Sequence, residues 1–169
     1  MNREYLRERP RRSACPPVVG TRDELTTVVE AAVRPGEPDR LLVVFRIARM
    51  DEFADRFGEN AMERMAEHIA VHLPNSSGRW TFYFRPRRDE LCLMIEGPLN
   101  QVDQALAEAS TTVSEALGPE GITLGYSQTL LPSGLGSFTE AIARADRGIV
   151  NPNGEPVPRS YRSGWMTLR

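Results

Sequence analysis

The sequence predicts an α+β fold built on a β-α-β-β-α-β core. Three observations predict it. Residues 41–45 and 91–95 are continuous apolar runs, the pattern of strands buried on both faces. Trp80, Phe82 and Phe84 alternate with Thr81, Tyr83 and Arg85, the period-2 signature of a strand, and a tight charged turn joins them to the second apolar run. The longer stretches between strands carry apolar residues at helical spacing and stop at Gly and Pro, which break both helices and strands.

Taken in order, residues 21–33 read as a helix. Thr21 with Glu24 gives a capping-box pattern, and Leu25, Val28, Val29 and Ala32 share one face. The sequence Pro35-Gly36-Glu37-Pro38 ends it. The run at 41–45 is the first core strand, rich in β-branched residues. Residues 50–73 are helical with a break near Gly58-Glu59-Asn60; Phe53 and Phe57 stand at i, i+4, and Met62, Met65, Ala66, Ile69, Ala70 and Leu73 continue the apolar face. A turn at 74–78 leads into the two-strand stretch 79–96. Residues 102–117 form the next helix, with Val102, Leu106, Ala109, Val113, Ala116 and Leu117 inward and Gly118-Pro119 as its stop. Residues 122–130 are a strand, 132–136 a loop and 138–147 a short helix. This order of strands and helices is the ferredoxin-like one shared with the palm of polymerases. It hosts many functions and decides none.

The totals bound the class. With 169 residues, the chain holds one domain. It divides into an arginine- and proline-rich N-terminal tail over 1–17, a domain over 18–150 and an irregular C-terminal tail over 151–169, where 151–158 hold three prolines and a glycine. All 21 basic residues are arginine, and the net charge of -2 argues against a general polyanion binder such as a nucleic-acid protein. Cys15 and Cys92 are the only cysteines; one falls in a tail and the other in a buried strand, so a reducing, cytoplasmic compartment is expected. No apolar run reaches the roughly 20 residues that span a bilayer, and no apolar signal segment opens the chain.

The charged turn is the focus. Residues 85–90 read Arg-Pro-Arg-Arg-Asp-Glu. Charges so dense at a hairpin tip are either solvated turn chemistry or a site. Other candidates reduce to ordinary readings. His68 and His72 have the i, i+4 spacing of zinc ligands but lack a third ligand. The stripe of Trp80, Phe82 and Phe84 could stack bases, but core packing explains it. Cys92 has no activating neighbour in the sequence and reads as a small hydrophobe.

With the order in place, the chain resembles a GGDEF domain, the family of diguanylate cyclases. The signature Gly-Gly-Asp/Glu-Glu-Phe falls on Arg87-Arg88-Asp89-Glu90-Leu91, preceded by Arg85, where the family commonly has arginine. Gly20 to Leu25 resembles the family's opening helix; Phe53, Asp55 and Gly58 echo its first core helix and the glycine turn after it. Residues 69–73 resemble Val-Ala-x-x-Leu, residues 122–127 the Thr-Val-Ser-x-Gly strand and residues 143–147 the Ala-Asp-x-Ala-Leu-Tyr helix. The resemblance implies a central sheet flanked by helices.

The departures set the functional expectation. Family enzymes hold divalent metal with an Asp at the end of the first strand and with the acidic pair of the signature. The alignment puts Arg46 at that Asp and Ala48 at the second Asp of the family's Asp-x-Asp. A guanidinium repels a metal, so the magnesium site is expected to be lost and no cofactor is expected. The guanine-reading Asn falls at Ala54 and the second guanine contact at Glu63. Arg87 and Arg88 fill the space that two glycines leave for phosphates. The family's phosphate-binding Lys has no counterpart, and Arg79 stands alone where an inhibitory Arg-x-x-Asp would be.

The expectation is therefore a catalytically inactive, regulatory GGDEF-like domain of bacterial cyclic di-GMP signalling that works by protein–protein contact, with Asp89 and Glu90 as a relic acidic pair and Arg46 paired to one of them across adjacent strands. The alternative is a sensor that binds GTP, cyclic di-GMP or another anion through Arg85, Arg87, Arg88, Arg46 and Glu63, since guanidinium forks suit phosphate. A surviving cyclase is the third reading. The expected partner is another protein, with a second copy of the chain or a guanine nucleotide as alternatives, and neither membrane nor nucleic acid.

Overall fold

The computed structural model describes residues 19–20, 22–76, 82–96, 102–132 and 136–159. Its elements are β1 (Val19–Gly20), α1 (Arg22–Ala32), β2 (Arg40–Ile47), α2 (Met50–Phe57), α3 (Glu59–Ser76), β3 (Phe82–Arg87), β4 (Glu90–Glu96), α4 (Val102–Leu117), a 3-10 turn (Gly118–Glu120), β5 (Leu124–Leu131) and α5 (Phe138–Arg147). The expected N-terminal tail, Thr21, Trp80 and residues 160–169 lie outside the described residues.

The sheet runs β1-β3-β4-β2-β5. Strands β3, β4, β2 and β5 pair antiparallel, and the two-residue β1 lies parallel to β3 at the edge. From β2 to β5 the chain traces the ferredoxin-like order.

The continuous apolar runs have a simple cause: both faces of the sheet are covered. On one face Leu41, Val43, Phe45 and Ile47 of β2 and Leu91, Leu93 and Ile95 of β4 pack against α2, α3 and α4. On the other face Leu42 and Val44 of β2 and Cys92 and Met94 of β4 pack against Leu25 and Val29 of α1 and Ala141 and Ala145 of α5. Successive strand residues point to opposite faces, so a strand covered twice has no polar side. In the aromatic stripe, Phe84 is buried in this second cluster.

Gly58 separates α2 from α3. Its φ of 91° is in the region that favours glycine. Its N–H donates to the Ala54 carbonyl at 2.8 Å, and its own carbonyl accepts from Met62 at 3.1 Å. One helix thus closes and the next opens on the same residue. The N-terminus of α5 is capped by Ser137, whose hydroxyl accepts from the Glu140 N–H at 3.2 Å.

Two local differences from the sequence reading stand out. The expected strand over 122–130 begins later, at Leu124, because the Ile122 N–H turns back to the Leu117 carbonyl at 3.2 Å. The segment after Val150 forms no strand or helix over 151–159, yet it does not leave the domain. Val150 bridges to Tyr126 and to Pro156, and Val157 is 4% exposed within the α1/α5 cluster. Packing therefore carries the domain to at least Arg159, beyond the boundary at 150 that the prolines suggested.

Candidate functional site

The hairpin between β3 and β4 turns at Arg88 and Asp89, and Arg87 pairs with Glu90 across it. A register shift between Phe84 and Arg87 marks a bulge in β3, which bends the tip. On the far side of β4, Glu90 stands directly opposite Arg46 of β2, and Arg46 stands opposite Gly125 of β5. Arg46 therefore projects from the middle of the sheet.

All three nitrogens of its guanidinium donate. Nε and Nη2 donate to Glu90 Oε1 at 3.1 and 2.6 Å. Nη2 also donates to Asp146 Oδ1 of α5 at 2.9 Å, and Nη1 donates to the Val157 carbonyl at 3.0 Å. Arg159 enters from the C-terminal segment. Its Nε donates to the same Glu90 Oε1 at 3.1 Å, and its Nη2 donates to Asp146 Oδ2. Arg87 Nε completes the ring at an ion-pair distance of 3.5 Å from Glu90 Oε2. The Arg46 and Glu90 side chains are 5% and 4% exposed, so the centre of the cluster is dry while Arg159 closes it from the rim.

The electrostatics follow from that arrangement. Burial works to lower the Arg159 pKa, but Glu90 and Asp146 outweigh it and hold the group above its ordinary value. Burial pushes the Cys92 thiol well up, and the charges of Glu90 and Asp146 add to the effect against a smaller opposing one from Arg46. Cys92 is free and buried, consistent with the small hydrophobe read from the sequence.

The expected site residues are thus divided among different partners. Of the relic acidic pair, Glu90 and not Asp89 takes Arg46. Asp89 is completely buried in the turn, and its carbonyl accepts the Ile47 N–H at 2.8 Å. Arg88 turns toward α3, with Nε 3.1 Å from Glu63 Oε1 and Nη1 3.8 Å from Glu59. Arg85 is buried; its Nη2 donates to the Arg88 carbonyl at 3.2 Å and its Nε has no hydrogen-bond partner among the described residues. Arg46 and Arg87 share Glu90, Arg88 and Glu63 pair elsewhere, and no single cradle collects the four arginines. Ala54, where the resemblance puts a guanine reader, is buried at 6% exposure. Among the described residues no group of three or more His, Cys, Asp or Glu is arranged to hold a metal ion.

Sequence reasoning missed Arg159 and gave Asp146 no role. Two signals were present. Gly125 interrupts a strand, which marks close backbone approach, and Val157 is a lone apolar residue among prolines. A Cβ on Gly125 would stand 2.5 Å from Val157 Cγ2 and 2.8 Å from the Val150 carbonyl oxygen.

The fold agrees with solved structures. The GGDEF domain of YfiN (TpbB) from Pseudomonas aeruginosa superposes with a TM-score of 0.63 at 14% identity, covering 85% of this chain and 99% of that one. The fold is that of a GGDEF domain. The GGDEF domain of DgcB from Caulobacter crescentus, solved in complex with c-di-GMP, gives a TM-score of 0.60 at 19% identity over 83% of this chain and 90% of that one. The active GGEEF domain of a diguanylate cyclase from Vibrio cholerae gives 0.60 at 15% identity over 78% and 88%. At these identities the likeness to the GGDEF domains is one of fold. No family model matches the sequence, and no curated protein does.

Proposed function

We propose that this GGDEF-like domain is a non-catalytic regulatory module that acts in the cytoplasm through protein–protein contacts. The observation that carries the reading is the buried guanidinium of Arg46 on Glu90. Cyclisation of GTP needs a divalent cation to activate a hydroxyl and neutralise phosphates. Three of the four positions the resemblance assigns to that cation, Arg46, Ala48 and Glu90, do not fit it. Arg46 and Ala48 offer no side-chain oxygen, and the Glu90 carboxylate is already neutralised by Arg46, Arg159 and Arg87. A metal entering here would have to expel three guanidinium groups. Among the described residues no helix is long and apolar enough to cross a membrane.

One observation favours the sensor reading: among the described residues the buried Nε of Arg85 has no hydrogen-bond partner, and an anion could supply one. Against it, Arg88 and Glu63 would have to give up each other first. The two readings separate in a thermal-shift series with GTP, cyclic di-GMP and inorganic phosphate, each with and without magnesium. The regulatory-module reading expects no shift, together with self-association or partner capture. Stabilisation by nucleotide without magnesium would favour the sensor. Cyclic di-GMP made by the purified protein from GTP and magnesium would overturn both.

A further inference from the structure

The C-terminal segment touches more of the site than its lack of regular structure suggests. The Tyr126 N–H of β5 donates to the Val150 carbonyl at 3.0 Å, and the Val157 N–H donates to the Ile149 carbonyl at 3.2 Å. Asn151 holds the loop between them: its side-chain oxygen accepts from the Asn153 and Glu155 N–H groups at 2.9 and 3.0 Å. Val157 then drops into the slot left by the missing side chain of Gly125. Two residues later Arg159 bridges Glu90 of β4 and Asp146 of α5.

We propose that residues 150–159 form a detachable strap over the Arg46–Glu90 centre, seated in the Gly125 slot and clasped by Arg159, and that it opens as a unit while the sheet stays folded. The two attachments differ in kind. The slot is steric and apolar. The clasp is electrostatic and lies at the rim, with Arg159 37% exposed, where solvent screens it. Apart from the bridges at Val150, the described strap contributes no sheet ladder, so its opening breaks the pair to Tyr126, the Val157–Ile149 bond and the side-chain bonds of Arg46 and Arg159, and leaves the β2–β5 ladder intact. Segments of this kind occupy the low-stability end of a native protein. Opening uncovers Glu90 and Asp146 and removes the carbonyl that Arg46 Nη1 holds, so a protein that captures the strap would change the charge presented at the hairpin. This inference is independent of whether the domain binds nucleotide.

Two variants attack the strap from opposite ends. Arg159→Ala removes the clasp. Gly125→Ala wedges the slot, because its new methyl meets the Val150 carbonyl, a backbone atom that cannot rotate away. Hydrogen exchange of the full chain, followed by NMR, reads the Tyr126, Val150 and Val157 amides against Val43 and Leu93 in the central ladder. Exchange at the three strap-linked amides should rise in each variant, by about tenfold in Arg159→Ala, which loses two charge-assisted hydrogen bonds, while Val43 and Leu93 keep their protection. Unchanged exchange at those three amides would overturn the proposal. So would a uniform rise across the protein, since the strap would then not be separable. A rise in only one variant would mean that clasp and slot act separately, and would sink it equally.

Discussion

Arg46→Ala is the most informative single change. As an exposed pair, Arg46 and Glu90 would be worth about 0–1 kcal/mol. Burial changes the regime: the two side chains are 5% and 4% exposed. Removing one partner of a buried pair leaves a desolvated charge behind, and such truncations cost roughly 3–5 kcal/mol. Arg46 also satisfies Asp146 and the Val157 carbonyl, but Glu90 keeps Arg159 and Arg87 in the variant, so the lower part of that range is expected. Against a typical total of about 5–15 kcal/mol for a domain, the loss is large. The assay is urea unfolding of wild type, Arg46→Ala, Glu90→Ala and the double variant, with a common slope m checked first. The double variant should lose clearly less than the sum of the singles, because removing both partners abolishes the stranded charge. A loss under about 1 kcal/mol for Arg46→Ala at unchanged m would refute the reasoning, since the pair would then behave as a solvated one.

Other outcomes follow from the same geometry. Arg88→Ala should cost less than about 1 kcal/mol by the same assay, because Arg88 and Glu63 are 45% and 35% exposed; a loss comparable to that of Arg46→Ala would break the burial argument. Leu93→Ala, in a strand flanked by β2 and β3 and with no exposed surface, should cost about 2–5 kcal/mol, and a near-neutral result would contradict the two-sided core. Burial raises the Cys92 pKa, so the folded state holds the thiol proton more tightly than the unfolded chain does. That contribution is present below the unfolded thiol pKa of about 8.5 and is lost as pH rises toward the folded value. Chemical unfolding at pH 8 and pH 10 should show the decline. Thiol labelling at Cys92 should proceed only through unfolding, and rapid labelling of the native protein would contradict the burial.

Much of this architecture was legible in the sequence. The helix read at 102–117 coincides with α4 because its 3.6-residue period is unbroken and Gly118-Pro119 gives a hard stop. The break at Gly58 was legible because glycine punctuates a long amphipathic stretch. The pairing of Arg46 with the signature acid was legible from alignment, as both lie on adjacent strands; the choice of Glu90 over Asp89 was not, because strand register decides it. Arg159 was hidden for a different reason. Its segment is held by single bridges, one buried valine and two carboxylates contributed from elsewhere in the chain, and none of these produces a periodic pattern. The short β1 left no pattern either, since two residues cannot show a period.

The central position of β2 has a consequence for the order in which the protein assembles. Its apolar strand leaves the ribosome before its partners, β4 and then β5, which lie well downstream. At roughly 5–20 residues per second, the second edge of β2 waits on the order of seconds for a neighbour. During that interval the exposed edge carries Leu41 to Phe45 with no charge to discourage pairing with another chain. The ion-pair centre waits longer still. Arg46 lies 111 positions from Val157, whose carbonyl it holds, and Glu90 lies 69 from Arg159, so the centre is completed only after all five strands have been made. The nascent protein therefore has most need of a chaperone between the synthesis of its second and its fifth strand.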